Sequence, residues 1–121
     1  MLRTRAVAAG ILLTLAVLTG GCASGTDSSS SEGVVTVDIA ISDDQVTPNG
    51  EELSVGVGQE VDLVVTAEAP GEIHVHSEPE QEFAYEGTGE PATFSLSIDR
   101  PGQVEVESHS LDRLIVKLLV S

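Results

Sequence analysis

Apolar and polar residues alternate at every second position through most of the chain after residue 33. Such alternation over four to eight residues is typical of a β-strand with one buried face. Seven runs of this kind predict strands at 34–41, 52–57, 61–66, 72–77, 93–98, 103–109 and 114–121. Residues that favour turns, chiefly Pro, Gly, Asn and Asp, separate the runs. Since no stretch of this region has a helical period, the pattern predicts an all-β domain.

The same alternation predicts which side chains form the core. They are almost all Val, Leu or Ile: Val35, Val37, Ile39, Ile41, Leu53, Val55, Val57, Val61, Leu63, Val65, Ile73, Val75, Phe94, Leu96, Ile98, Val104 and Val106. Short alternating strands at close spacing predict an antiparallel-rich Greek-key β-sandwich. The chain has no Trp and only one Cys, so an immunoglobulin-type core with a disulfide and a packed Trp is not indicated.

The first 21 residues follow a different pattern. Arg3 and Arg5 precede an almost wholly apolar run at residues 6–18. This run has about 13 residues, which suits the core of a signal peptide and falls short of the roughly 18–20 that a membrane-spanning helix needs. We therefore predict that residues 1–21 are a secretory signal peptide.

The segment ends in Leu-Thr-Gly-Gly-Cys at residues 18–22, which resembles the lipobox of bacterial lipoproteins. The resemblance implies cleavage before Cys22 and acylation of Cys22, with chains such as palmitate, on the extracytoplasmic face of the cell membrane. It departs from the family at Thr19, where Leu is favoured. A sole cysteine cannot close an internal disulfide in an oxidising compartment, and lipidation gives it a purpose. Ordinary cleavage that leaves a free Cys22 thiol is the alternative.

Composition divides the remaining chain into a tether and a domain. Residues 22–33 are rich in Ser and Gly, and we predict a lipidated cysteine followed by a flexible, disordered linker. Its root-mean-square reach is about 18 Å for a chain of this composition. Residues 34–121 are enough for one β-sandwich domain.

Removal of the signal peptide makes the chain more acidic. The whole chain carries a net charge of −15, and residues 22–121 retain three basic residues against twenty acidic ones, which gives −17. Such a surface repels phosphate backbones and anionic headgroups, so we expect no nucleic-acid partner and attachment to the membrane through the lipid alone. Salt-adapted organisms also have acidic proteins, and the charge would then be an environmental adaptation.

The three histidines lie on outward faces of two predicted strands. His74 and His76 are two residues apart, so both side chains leave the same face of the strand. His109 lies on the outward face of the strand at 103–109. Three imidazoles from neighbouring strands would suit Cu(II) or Zn(II). The alternative is a set of surface His–Glu pairs across strands, each contributing a few tenths to about 1 kcal/mol.

Two segments resemble strands of cupredoxin-like domains. They are Glu-Ile-His-Val-His-Ser-Glu-Pro-Glu at 72–80 and the strand that begins with Pro-Gly at 101–102 and leads into the last strand. The resemblance implies a cupredoxin-like sandwich in which these strands run side by side and end at one pole. It therefore implies that His74, His76 and His109 gather at that pole.

The blue-copper ligand set of that family is incomplete in this chain. Blue-copper centres use two His, a Cys thiolate and a weak axial Met. About Ser108 occupies the place of the Cys, the only Cys is Cys22, and the only Met is Met1. Any copper bound here would have nitrogen and oxygen ligands and would not form a type 1 centre.

Three classes of function follow from these patterns. The first is extracytoplasmic binding of copper or another divalent metal, for storage, sensing or delivery. The second is a metal-free adhesion or protein-interaction module on the same sandwich. The third, electron transfer, is disfavoured by the missing Cys and Met. The chain has no nucleophile elbow, phosphate loop or His-Glu-x-x-His motif, and we interpret Glu78, Glu80 and Glu82 as a charged solvated connection, so we predict no enzyme.

Overall fold

The computed structural model describes residues 33–121, and nine β-strands occupy them. In chain order they are β1 (Val35–Ser42), β2 (Gln45–Thr47), β3 (Glu51–Val55), β4 (Glu60–Ala67), β5 (Gly71–Val75), β6 (Gln81–Tyr85), β7 (Ala92–Ser97), β8 (Gly102–Ser108) and β9 (Arg113–Val120). Within this range no helix is long and apolar enough to span a membrane. The predicted signal peptide, Cys22 and most of the linker lie outside the described residues.

All seven predicted strands are present, with ends displaced by at most two residues. The sequence pattern missed β2 and β6. β6 begins directly after Glu80 and contains Glu82, so the interpretation of Glu78, Glu80 and Glu82 as one solvated connection is wrong for Glu82. The short run Phe83-Ala84-Tyr85 does alternate, and Tyr85 is buried, but the acidic residues before it conceal the pattern.

The strands form two packed sheets. One has the order β2-β1-β4-β7 and the other the order β3-β9-β8-β5-β6. Five strand pairs are antiparallel, whereas β1–β4 and β3–β9 are parallel. The predicted all-β, antiparallel-rich sandwich is therefore confirmed.

The core between the sheets consists of Val, Leu and Ile with Ala67 and one buried aromatic residue, Tyr85. Val75 and Val106, which are paired across β5 and β8, have no exposed surface. Each such side chain contributes about 1.5–3 kcal/mol through burial. Val57 does not belong to the core: it is 47% exposed, because β3 ends at Val55 and the chain then turns at Gly58.

A β-bulge in β9 changes the alternation near the end of the chain. Val106 pairs with Val116, but the next residue of β8 pairs with Leu114, so Ile115 is the extra residue. Ile115 and Val116 are consequently both buried although they are neighbours in sequence. The bulge lies beside the part of β8 that leads to the histidine site.

Candidate metal centre

Three histidines and five glutamates gather on the outer side of the five-stranded sheet. We call this surface the His–Glu face; its residues lie on or directly beside β5, β6 and β8 and are Glu72, His74, His76, Glu80, Glu82, Glu105, Glu107 and His109. Alternation in β5 produces this arrangement, because Ile73 and Val75 are fully buried in the core. The outward direction predicted for the three histidines is therefore observed.

The two histidine-bearing strands are neighbours, but they are antiparallel. His74 is paired with Glu107, and Ile73 is paired with Ser108. Beyond the paired region, the His109 amide donates to the Glu72 carbonyl at 2.9 Å. The strands therefore cannot end at the same pole, and that expectation is wrong. The histidines lie diagonally across the sheet face instead.

His74 occupies the centre of the His–Glu face. Its Nε2 atom lies 2.7 Å from Oε1 of Glu72 and 3.3 Å from Oε1 of Glu82. The His74 side chain is only 16% exposed, whereas Glu82 is open to solvent. Among residues 33–121, these three make up the only group of three or more His, Cys, Asp or Glu side chains whose ligand atoms lie within 4.8 Å of one another.

The spacing of this group suits a small divalent cation. Zinc bonds to His nitrogen and to carboxylate oxygen are about 2.0–2.2 Å long, so ligand atoms of a tetrahedral site lie roughly 3.3 Å apart. Of the two nitrogen–oxygen distances at His74, the one to Glu82 (3.3 Å) matches this value, whereas the one to Glu72 (2.7 Å) is shorter, so Glu72 would move back slightly when a metal binds. In the absence of metal, the same geometry allows His74 to donate its Nε2 proton to a carboxylate. A cation would replace that proton.

His109 is stacked on His74. The ring centroids are 4.5 Å apart and the planes differ by 17°. His109 is exposed and follows the last residue of β8, so rotation of its side chain requires no change in the core. Its imidazole is thus the nearest additional nitrogen donor to the group around His74.

His76 has different surroundings. Its Nδ1 lies 3.0 Å from Oε1 of Glu80, and its Nε2 lies 2.9 Å from Oε2 of Glu107. Both ring nitrogens therefore face carboxylates, an arrangement in which a protonated imidazole donates two hydrogen bonds. Hydrogen bonding to Glu107 raises the pKa of His76 above its ordinary value of 6.5; partial burial opposes the rise, and the charges of Glu107, Glu80 and Glu105 add to it. This is the surface His–Glu pairing that the sequence left open as the alternative to metal ligation.

His74 and His76 are nevertheless close, with ring centroids 6.2 Å apart. The structure thus brings all three predicted histidines together on one face, with His74 between the other two. It adds two carboxylates that face His74. Glu72 shares the strand face of His74, as predicted. Glu82 was missed because the sequence pattern did not reveal β6.

Ser108 lies on the other side of the sheet from the histidines. Its side chain is fully buried, and its Oγ is 3.4 Å from Oγ of Ser110. The residue at the approximate place of the blue-copper cysteine therefore faces the core, while the imidazoles face solvent. The described residues contain neither Cys nor Met, so they do not fit a type 1 copper centre.

Solved structures with a similar fold include variants of amicyanin and a copper binding protein. A methionine-to-alanine variant of amicyanin with Cu(I) has a TM-score of 0.52 and 20% identity, over 77% of this chain and 87% of that chain. A copper binding protein solved by NMR in the apo form has a TM-score of 0.55 and 13% identity, over 74% of this chain and 90% of that chain. An oxidised methionine-to-leucine variant of amicyanin has a TM-score of 0.53 and 20% identity, with coverage of 77% and 87%.

At these identities the likeness shows the fold alone, and that fold is cupredoxin-like, of the amicyanin type. No protein-family model matches the chain. No curated protein matches it either.

Proposed function

We propose that this domain binds a divalent metal ion, Cu(II) in particular, on the His–Glu face with nitrogen and oxygen ligands only. The observation that carries the proposal is the approach of the Glu72 and Glu82 carboxylates to the same nitrogen of His74. Imidazole and carboxylate together suit Cu(II) and Zn(II), and the lack of a thiolate disfavours Cu(I). The proposed role is binding, for storage, sensing or delivery, rather than catalysis.

In this proposal the three histidines contribute unequally. His74 is the first ligand because it is the most enclosed and already faces two carboxylates. His109 supplies a second nitrogen after leaving its stacked position. His76 contributes last, since a metal must displace the proton that its two carboxylate partners stabilise.

The solved structures of similar fold support the proposal only through that fold. Copper is a property of those proteins. Here the donors belong to the outer sheet face and lack sulfur, so electron transfer by a blue centre is not part of the proposed function.

We further propose that the domain is held on the extracytoplasmic face of the cell membrane by a lipid on Cys22. The basic start, the short apolar run and the Gly-Gly-Cys ending support this location. Two or more acyl chains hold a protein stably where one does not. Cys22→Ser should move the protein from the membrane fraction to the soluble fraction, as measured by fractionation and immunoblotting. Unchanged partitioning would contradict the anchor.

Titration calorimetry with Cu(II) tests the metal site. The lipid-free chain carrying Cys22→Ser should bind one ion with an affinity that falls strongly in His74→Ala and in the triple His74, His76 and His109→Ala variant. Glu72→Gln/Glu82→Gln should weaken binding more than Glu86→Gln/Glu90→Gln, which removes the same charge elsewhere. Equal binding by wild type and the triple variant would mean that dispersed carboxylates take up the metal.

The geometry of His76 favours one alternative. Its two close carboxylate partners explain that part of the His–Glu face without any metal. If calorimetry shows no histidine-dependent binding, the face is a charged surface of a metal-free adhesion or interaction module.

A further inference from the structure

The edges of the two sheets differ in how they are protected against strand pairing. Within residues 33–121 the edge strands are β2, β7, β3 and β6. An edge strand has unpaired backbone groups, and proteins usually protect such edges by short length, charge or proline. β2 has three residues. β3 begins with Glu51 and Glu52, and β6 contains Glu82 between Glu80 and Glu86.

β7 has none of these protections within the strand itself; its nearest charges, Glu90 and Asp99, lie beyond both of its ends. Its six residues, Ala-Thr-Phe-Ser-Leu-Ser, include no charge and no proline, since Pro91 lies just before the strand. Among residues 33–121 it pairs with β4 alone. β7 is thus the longest uncharged strand of the nine described, on a mature chain for which we expect a net charge of −17.

The apolar border beside β7 is incompletely covered. Phe94 is half-buried and lies against Phe83 of the facing sheet, with ring centroids 5.3 Å apart. A cavity of about 310 Å³ opens beside Phe94 between the two sheet edges. A strand added to β7 would place its own inward side chains over these rings.

The sequence of β7 is complementary to itself. In antiparallel pairing, directly opposite residues point to the same face. Phe94 faces inward and Ser95 outward, so these neighbouring residues cannot lie opposite each other in a symmetric pair of strands. A two-fold axis between the strands must therefore pass midway between two copies of the same residue. Centred on Ser95, the pairing sets Phe94 against Leu96 and Thr93 against Ser97, so apolar meets apolar and hydroxyl meets hydroxyl. This register also leaves out Pro91, which has no amide proton to donate.

We propose that two copies of this chain associate through antiparallel pairing of β7 with β7, centred on Ser95. The four-stranded sheets of the two copies then form one continuous eight-stranded sheet. A second copy fits better than a charged partner because the edge itself carries no charge to attract one. This association does not depend on the metal site, which lies on the outer face of the other sheet.

Disulfide trapping in isolated membranes tests the pairing on the full chain. Ser95→Cys places a thiol opposite its own copy, and mild oxidation should give a covalent dimer on a non-reducing gel. Ser54→Cys is the control, because Ser54 is an exposed residue on the charged edge strand β3. The unmodified chain gives the background from Cys22. We expect several-fold more dimer from Ser95→Cys than from Ser54→Cys.

A charge variant tests the register. Adding Thr93→Lys and Ser97→Lys to Ser95→Cys sets like charges directly opposite each other and should reduce trapping about tenfold. Both changes lie on the exposed face of β7, so circular dichroism and thermal unfolding should stay close to wild type. Equal trapping at residues 54 and 95, trapping that the lysines do not change, or a covalent product with a different protein would each overturn the proposal.

Discussion

At the scale of single residues, the neighbouring carboxylates give the histidines different chemistry. His74 has two carboxylates near one nitrogen, which is the arrangement a cation needs. His76 has one carboxylate near each nitrogen, which is the arrangement that an imidazolium needs. The sequence predicts that both side chains share a face, but it cannot predict this difference. It depends on Glu82 and Glu107, which belong to other strands.

The raised pKa of His76 predicts a pH-dependent coupling with Glu107. Because the protonated form is stabilised in the folded state, the stabilisation is fully present below the unfolded pKa of about 6.5 and disappears as the pH rises through the folded pKa. A double-mutant cycle with His76→Gln and Glu107→Gln should give a coupling of a few tenths to about 1 kcal/mol near pH 5.5. It should give none near pH 9.

Chemical denaturation at the two pH values measures this coupling, and proton NMR titration gives the pKa of His76 directly. Glu107→Gln should lower that pKa. A coupling that is constant with pH would show that the pair is not ionic.

Ser108 provides a second prediction at this scale. Ser108→Cys restores the residue type that blue-copper proteins use, but its side chain points into the core while His74 points to solvent. We expect no intense blue thiolate-to-copper band when Cu(II) is added to this variant, as measured by visible absorption. Appearance of that band would mean that Ser108 and the histidines can reach one metal ion.

At the scale of strands, the alternation of apolar and polar residues predicts which side chains face the core. It does not predict the relative direction of neighbouring strands or the presence of the short edge strands β2 and β6. β1, β4, β5 and β8 were predicted well because their inward positions are uninterrupted Val, Leu and Ile. β6 was missed because two of the three residues at 80–82 are acidic and only Phe83 and Tyr85 mark its inward side. The periodicity of a sequence does not indicate whether two neighbouring strands are parallel or antiparallel. The antiparallel pairing of β5 and β8 therefore could not be predicted from it.

The loop between β6 and β7 offers a matched pair of glycines. Gly87 and Gly89 both have positive φ angles, +67° and +81°. A side chain at Gly87 would collide with the backbone of Ala69, whereas one at Gly89 would meet no atom within 4 Å. Gly89→Ala should therefore cost only the backbone strain, about 1–2 kcal/mol. Gly87→Ala should cost about 1–3 kcal/mol more, because the loop must move away from Ala69.

Urea unfolding of the two variants measures this difference in the free energy of unfolding. The contrast isolates the close approach, since the φ strain is common to both. Equal destabilisation would show that the loop does not pack against Ala69 as described.

At the scale of the whole molecule, the pattern that determines the fold differs from the residues that determine the proposed function. The alternating strands were sufficient to predict a β-sandwich, and the similar solved structures agree with that prediction. The fold alone does not determine the chemistry. Residues 33–121 offer no Cys or Met as a sulfur ligand, and the imidazoles lie on an outer sheet face rather than at a pole. Composition accounts for the acidic surface, and only the three-dimensional pairing of β5, β6 and β8 reveals which of its carboxylates face a histidine.

Metal binding on the His–Glu face requires coordination by His74 in the proposed site. Electron spin echo measurements on the lipid-free chain with one equivalent of Cu(II) detect the remote nitrogen of a coordinated imidazole. We predict imidazole coordination in the wild type, its loss or marked reduction in His74→Ala, and its retention in Glu86→Gln/Glu90→Gln. A spectrum with oxygen ligands only, or one that His74→Ala leaves unchanged, would contradict the proposed site.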